Sequence, residues 1–219
     1  MTITYSVGWL AAGLAVGYLS GSIPFGLLIA RARGIDLRKE GSGNIGATNV
    51  FRCVGKGWGV VALLLDALKG WAPAFLLPLA FAEGSAPAWT GLAFGAAAVV
   101  GHNWPVWLGF KGGKGVATSA GMLLGVAPAA MGIGLAVFAI VVVLTRWVSL
   151  SSILAAIAVG GCGVWLHWND NRVLAVALLL IAAVVVLRHR ANIGRLLKGT
   201  EPKIVGKGST SQPRPPSSK

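Results

Sequence analysis

The stretch GFKGGKGVATSAGMLLGVA (Gly109–Ala127) places two lysines among glycines and then runs into a short apolar segment, Val116–Val126. A helix needs about 20 apolar residues to cross a bilayer, so this segment is short for a span. Whether it crosses decides the sidedness of everything after it. The glycines remove side-chain bulk and open backbone conformations closed to other residues. The lysines add fixed positive charge. The pattern suggests a pocket around something anionic.

The chain around it is strongly apolar. Of 219 residues, 55% are hydrophobic and 11% charged, with a mean hydropathy of +0.75. That is the composition of a multispanning membrane protein. The net charge of +13 raises nucleic-acid binding as an alternative. The basic residues, however, lie between apolar segments, and no groove-reading motif is present. The N-terminal stretch has no basic residue before Arg31, so it reads as a true span rather than a cleaved signal peptide. Cys53 lies in a basic loop and Cys162 in an apolar run. They predict neither a disulfide nor a metal site.

Strong candidate spans fall near 4–30, 58–82, 87–107, 127–145, 149–166 and 172–188. With the N-terminus outside and 116–126 crossing, all but Lys69 and Arg172 of the 19 Lys and Arg residues lie inside. Without that crossing, Arg146 and the basic tail from Arg188 move to the wrong face. The expectation is an all-α polytopic bundle of seven transmembrane helices, N-terminus outside and C-terminus cytoplasmic. The short span crosses where protein, rather than lipid, surrounds its ends. Residues 1–205 form one domain. The Ser-, Pro- and Lys-rich segment 206–219 reads as a disordered tail.

Unusual polar residues gather on the inside face. Ser20-Gly-Ser-Ile-Pro24 sits in the first span, where Pro24 removes a helix hydrogen bond and predicts a kink. GSGNIGATNVFRCVGKG (41–57) matches G-x-G-x-x-G by letters, but no strand precedes it and the acid 20 residues on, Asp66, falls in a span. The dinucleotide-binding reading is therefore excluded. A Gly-rich loop with small polar side chains and Arg52 remains, suited to presenting backbone N–H groups to a phosphate. The Gly-Lys loop is not a Walker A sequence. Its bland reading is a cytoplasmic loop with topology-setting lysines, and His102 beside it is more often structural than catalytic. Arg146 precedes Ser149, Ser151 and Ser152, with a snorkelling anchor as the rival reading. In RHRANIGRLLKGTE (188–201), His189 and Asn192 share a helix face. A basic amphipathic tail on anionic lipid is the rival there. Asp66 and Lys69 at i, i+3 inside a span read as a self-neutralising structural pair.

SGSIP, GSGNIGATN with Arg52 and Gly55-Lys56, GHNWPVWLGFKGGKGVAT, and RHRANIGRLLKGTE, in this order, resemble the bacterial acyl-phosphate:glycerol-3-phosphate acyltransferases, the PlsY family. The resemblance covers most of residues 20–201. It implies a multi-pass enzyme of the bacterial cytoplasmic membrane with its active site on the cytoplasmic side. That enzyme would transfer a fatty acyl group from acyl phosphate to the 1-position of glycerol 3-phosphate, giving lysophosphatidic acid, the first acylation step of phospholipid synthesis. The partners implied are the two substrates and membrane lipids, with no nucleic acid, obligatory protein partner, cofactor or metal. Site roles are implied for Ser42, Asn44, Thr48, Asn49 and Arg52, for Lys111, Gly112, Gly113, Lys114 and Gly115, and for His189 and Asn192. Ser149 is a softer transfer, and Glu201 is implied to be structural.

The chemistry is consistent with these residues. Lys111, Lys114 and Arg52 can hold phosphates through charge-assisted hydrogen bonds. No H-x-x-x-x-D acyltransferase motif and no legible nucleophile triad occur in the sequence. Acyl phosphate is a mixed anhydride with a good leaving group, so direct transfer suffices. The base is then the substrate's own phosphate, with second pKa about 6, while His189 holds a substrate and Asn192 donates to the oxyanion. His189 as general base is the competing mechanism. A transporter of phosphorylated solutes and a lipid-anchoring scaffold are the non-acyltransferase alternatives.

Overall fold

A computed structural model describes residues 7–81 and 88–204. The expected turn around Glu83 and the tail 206–219 lie outside the described residues. Every regular element among those described is helical: α1 (Val7–Ser22), α2 (Phe25–Arg31), α3 (Ala47–Cys53), α4 (Lys56–Phe81), α5 (Ala88–Asn103), a 3-10 turn (Val106–Leu108), α6 (Val116–Val126), α7 (Pro128–Thr145), α8 (Val148–His167), α9 (Arg172–Arg188) and α10 (Arg190–Leu197). The stretches Val7–Arg31, Lys56–Ala80, Pro128–Thr145 and Val148–His167 are long and apolar enough to cross a membrane. A fifth candidate is α9 with α10, bent by 57° at their junction.

The break between α1 and α2 falls at Ile23-Pro24, because proline cannot donate the next helix hydrogen bond. At the break, Lys69 Nζ donates to the Ile23 carbonyl at 2.7 Å. The short helix α6 has 11 residues, about 16 Å at 1.5 Å per residue, roughly half the hydrocarbon thickness. It is wedged among α4, α5 and α7, and Thr118, Ser119, Gly121, Met122 and Leu123 are buried. Its contact with α4 is close because both helices are small there. A Cβ on Gly70 would strike the Thr118 carbonyl, and one on Gly121 would strike the Ala67 carbonyl. Small residues that let backbones approach are the usual means of packing helices where lipid supplies no hydrophobic drive. The α4–α6 packing, α6–α7 contact and α7–α8 pairing leave a cleft over α6.

Candidate active site

The cleft holds a cavity of about 350 Å³. Its polar wall carries Ser42, Asn44, Thr48, Asn49 and Arg52 from the first loop and α3, Lys114 and Gly115 before α6, Ser149 on α8, and His189, Asn192 and Glu201 after α9. Its apolar wall carries Val60 and Leu63 of α4, Phe138 and Val142 of α7, and Val148. Segments up to 150 residues apart therefore meet: Arg52 Nη2 donates to the Pro202 carbonyl at 3.0 Å.

The first loop is shaped by its asparagines. Asn49, 2% exposed, accepts the Ser42 N–H at 3.0 Å and donates to the Leu37 and Glu40 carbonyls at 3.2 and 3.0 Å. Gly41 has φ of +59° and lies so near that a Cβ would overlap Asn49 Oδ1, hence the glycine. Asn44 Oδ1 accepts the Gly46 N–H at 2.9 Å, a local turn-forming bond. Asn49 thus spends its amide on folding the loop. Ser42, Asn44 and Thr48 complete this wall. Arg52 keeps Nε buried with no hydrogen-bond partner, and burial lowers its pKa.

The opposite side is a chain of polar contacts. Lys114 Nζ donates to Asn192 Oδ1. Asn192 Nδ2 donates to Glu201 Oε1 at 2.6 Å. Ser149 Oγ donates to the same oxygen at 2.7 Å, and Arg195 Nε to Glu201 Oε2 at 2.7 Å. Burial pushes the Glu201 carboxyl up, but the hydrogen bonds from Ser149, Asn192 and Arg195 outweigh it and hold the pKa below its ordinary value. Lys114 is pushed down to about 8, chiefly by burial, against the pull of Glu201. His189, just beyond the apolar helix α9, has Nδ1 2.7 Å from the Val185 carbonyl. A carbonyl only accepts, so Nδ1 carries the proton and Nε2 the lone pair. Burial, followed by the Lys114 ammonium, lowers His189 to about 4, so the ring is neutral near pH 7.

Not every residue singled out from the sequence stands on this wall. Lys111 is exposed and stands outside it; Gly112 and Gly113 also stand outside it. Asn192, expected as an oxyanion donor, turns its N–H toward Glu201 and its carbonyl toward Lys114. Four residues carry more than their sequence reading gave them. Arg188 reaches the Gly112 and Gly113 carbonyls at 3.1 Å with Nη2 and Nε respectively. Glu201 ties Ser149, Asn192 and Arg195 together. Asp66 and His102 also line the cavity. Nothing local marks Arg188 among the surrounding basic residues, since its partners are backbone carbonyls 75 and 76 residues away.

A cationic, amide-rich wall facing an apolar one, inside a helical bundle with membrane-length spans, defines a membrane-embedded protein built for an amphipathic anion. Residues 11–199 match the family model described as glycerol-3-phosphate acyltransferase. The glycerol-3-phosphate acyltransferase of Brucella suis is 46% identical over 200 residues, covering 91% of this chain and 95% of that protein. The one from Geobacter sulfurreducens is 48% identical over 188 residues, covering 85% and 93%. Crystal structures of PlsY (YgiH), an integral membrane glycerol 3-phosphate acyltransferase, superpose with 40% identity. The TM-score is 0.81 for the glycerol 3-phosphate form, covering 90% of this chain and 96% of that one. For the lysophosphatidic acid form it is 0.77, covering 89% and 94%. The chain belongs to the glycerol-3-phosphate acyltransferase family and is an integral membrane enzyme of that family.

Proposed function

We propose that this cavity joins a fatty acyl group from acyl phosphate to the 1-hydroxyl of glycerol 3-phosphate, releasing phosphate and forming lysophosphatidic acid. The observation that carries this reading is the pairing of Arg52 and Lys114 on one wall with Val60, Leu63, Phe138 and Val142 on the other. The cations take phosphate oxygens through charge-assisted hydrogen bonds, and the apolar wall takes the chain. Two phosphates enter, and two wall cations are available to them. Ser42, Asn44 and Thr48 add small polar contacts. No site role is proposed for Lys111.

Transfer is direct. The hydroxyl oxygen attacks the acyl carbon, the bond from that carbon to the phosphate oxygen breaks, and the hydroxyl proton ends on phosphate. A bound phosphate, with second pKa about 6, is poised near working pH as a base. His189, lowered to about 4, is a weak base, and its Nε2 lone pair accepts a hydrogen bond from the neighbouring 2-hydroxyl of glycerol 3-phosphate, leaving the proton of the attacking 1-hydroxyl to the phosphate. Seven crossings, with the N-terminus outside and the site facing the cytoplasm, follow from the positive-inside pattern, with α6 crossing inside protein. The cytoplasmic mouth would admit glycerol 3-phosphate from water and the acyl chain from lipid.

The deciding assay supplies purified protein with labelled glycerol 3-phosphate and either palmitoyl phosphate or palmitoyl-CoA. Labelled lysophosphatidic acid from the phosphate donor alone is the expected result. Product from palmitoyl-CoA alone, or movement of label across proteoliposomes without acylation, overturns the reading.

A further inference from the structure

Behind the Gly-Lys loop lies a buried group that the transfer step does not use. Lys69 Nζ pairs with Asp66 Oδ1 at 2.8 Å, both side chains 3% exposed. His102 Nδ1 lies 3.7 Å from the same oxygen, and the residue is 6% exposed. The other ring nitrogen faces the loop, for a Cβ added at Gly113 would overlap His102 Nε2. A Cβ at Gly112 would run into the His102 carbonyl and Pro105. The backbone tells the same story. Gly112 N–H donates to the Asn103 carbonyl at 3.2 Å and Gly113 N–H to the His102 carbonyl at 3.1 Å. The carbonyls of both glycines are taken by Arg188. Neither glycine is on the cavity wall, and neither has an amide free for a phosphate.

We propose that Gly112 and Gly113 are glycines in order to admit His102 and the end of α5, not substrate. His102, backed by the Asp66–Lys69 pair, is then a positioning residue that seats the backbone from which Lys114 reaches the phosphate and Asn192. Gly115 is built in the same way, with φ of +78° and a would-be Cβ 2.7 Å from Asn103 Oδ1. Lysine has a long flexible stem, so where its backbone is fixed decides where its charge can go. The inference rests on Lys114 being a substrate-binding cation, as argued above.

The test is a double-mutant cycle on the reconstituted full chain, using Gly113→Ala, His102→Asn and the pair. A displacement of about 1 Å costs on the order of 100-fold, so Gly113→Ala should lower kcat/KM by about that factor, with a rise in at least one substrate KM. A merely structural defect reduces the active fraction, which lowers apparent kcat and leaves both KM values alone. His102→Asn removes the ring atoms that the new methyl would strike. Adding Gly113→Ala to it should therefore cost no more than a few-fold. If the two losses multiply instead, the glycine serves substrate directly and the inference fails. If Gly113→Ala does not fold, a folded, monodisperse double variant is the same suppression, and an unfolded one overturns the proposal. If the wild type binds glycerol 3-phosphate but ignores acyl phosphate, the donor reading falls. The cycle is then read from glycerol 3-phosphate affinity.

Discussion

The cavity is bounded by two buried carboxylates with opposite construction. Asp66 pairs with Lys69 three residues away on the same helix, both side chains 3% exposed. Glu201 follows α10 and pairs with Arg195, whose side chain is 36% exposed, while also accepting from Ser149 and Asn192. The first pair is made by one helix turn and exists as soon as α4 forms. The second needs α8, α10 and the 199–204 segment together, so it reports that the tertiary structure is complete. The difference separates a contact made within one helix from one that ties three segments together at the cavity.

Removing one partner of each pair should break that contrast most sharply. Asp66→Ala leaves the Lys69 ammonium unpaired in the protein interior, and thermal unfolding should register a loss of about 3–5 kcal/mol. Asp66→Ala with Lys69→Met should recover most of it; equal loss in the double variant would show that the pair does not matter as a pair. Glu201→Gln should do the reverse. Its partner is partly solvated, so stability should change by about 1 kcal/mol or less. The Asn192–Lys114 geometry loosens, however, and kcat/KM should drop by about 100-fold. Unchanged turnover would remove Glu201 from the active arrangement.

Titration sharpens the comparison further. Lys114, lowered to about 8, is charged below that pH and neutral above it. Phosphate binding should therefore weaken as pH rises through about 8, seen as an alkaline fall in kcat/KM for the free enzyme. Lys114→Arg keeps its charge throughout that range and should erase this limb, at a cost of about tenfold near neutrality for the altered geometry. A limb that persists in the arginine variant belongs to another group. The smallest effect concerns Trp147, whose Nε1 donates to the Glu201 carbonyl at 3.1 Å. Trp147→Phe deletes one neutral hydrogen bond, worth about 1 kcal/mol, and should raise a substrate KM only a few-fold.

These pairs also mark what the sequence could and could not reveal. Asp66–Lys69 was legible as a structural pair because its spacing alone brings the charges together. The helix break at Pro24 was legible for the same local reason, and the first loop, Lys114, Ser149, His189 and Asn192 stand out in the sequence by residue type, although their meeting place does not. What spacing could not give was which polar atoms remain available. Asn49 looked like a ligand residue and spends its amide on Leu37, Glu40 and Ser42. The glycines at 112 and 113 looked like phosphate-binding positions, and their amides are used by the end of α5. Lys111 and Lys114 are equivalent as letters. One is exposed, and the other stands on the cavity wall, a distinction made by the loop's return against His102. Arg188 could not be singled out, because long-range capture of carbonyls leaves no trace in local pattern.

Glu201 comes after all ten α-helices among the described residues, which gives the site a sequence in time as well as in space. During synthesis the apolar segments can enter the bilayer and pack while the carboxylate that fixes Asn192 is still to be made. A chain released at residue 198 would carry each of those helices and none of the Glu201 contacts. Biogenesis thus separates insertion from completion of the polar wall: the Glu201 contacts can close only after every described helix has been made.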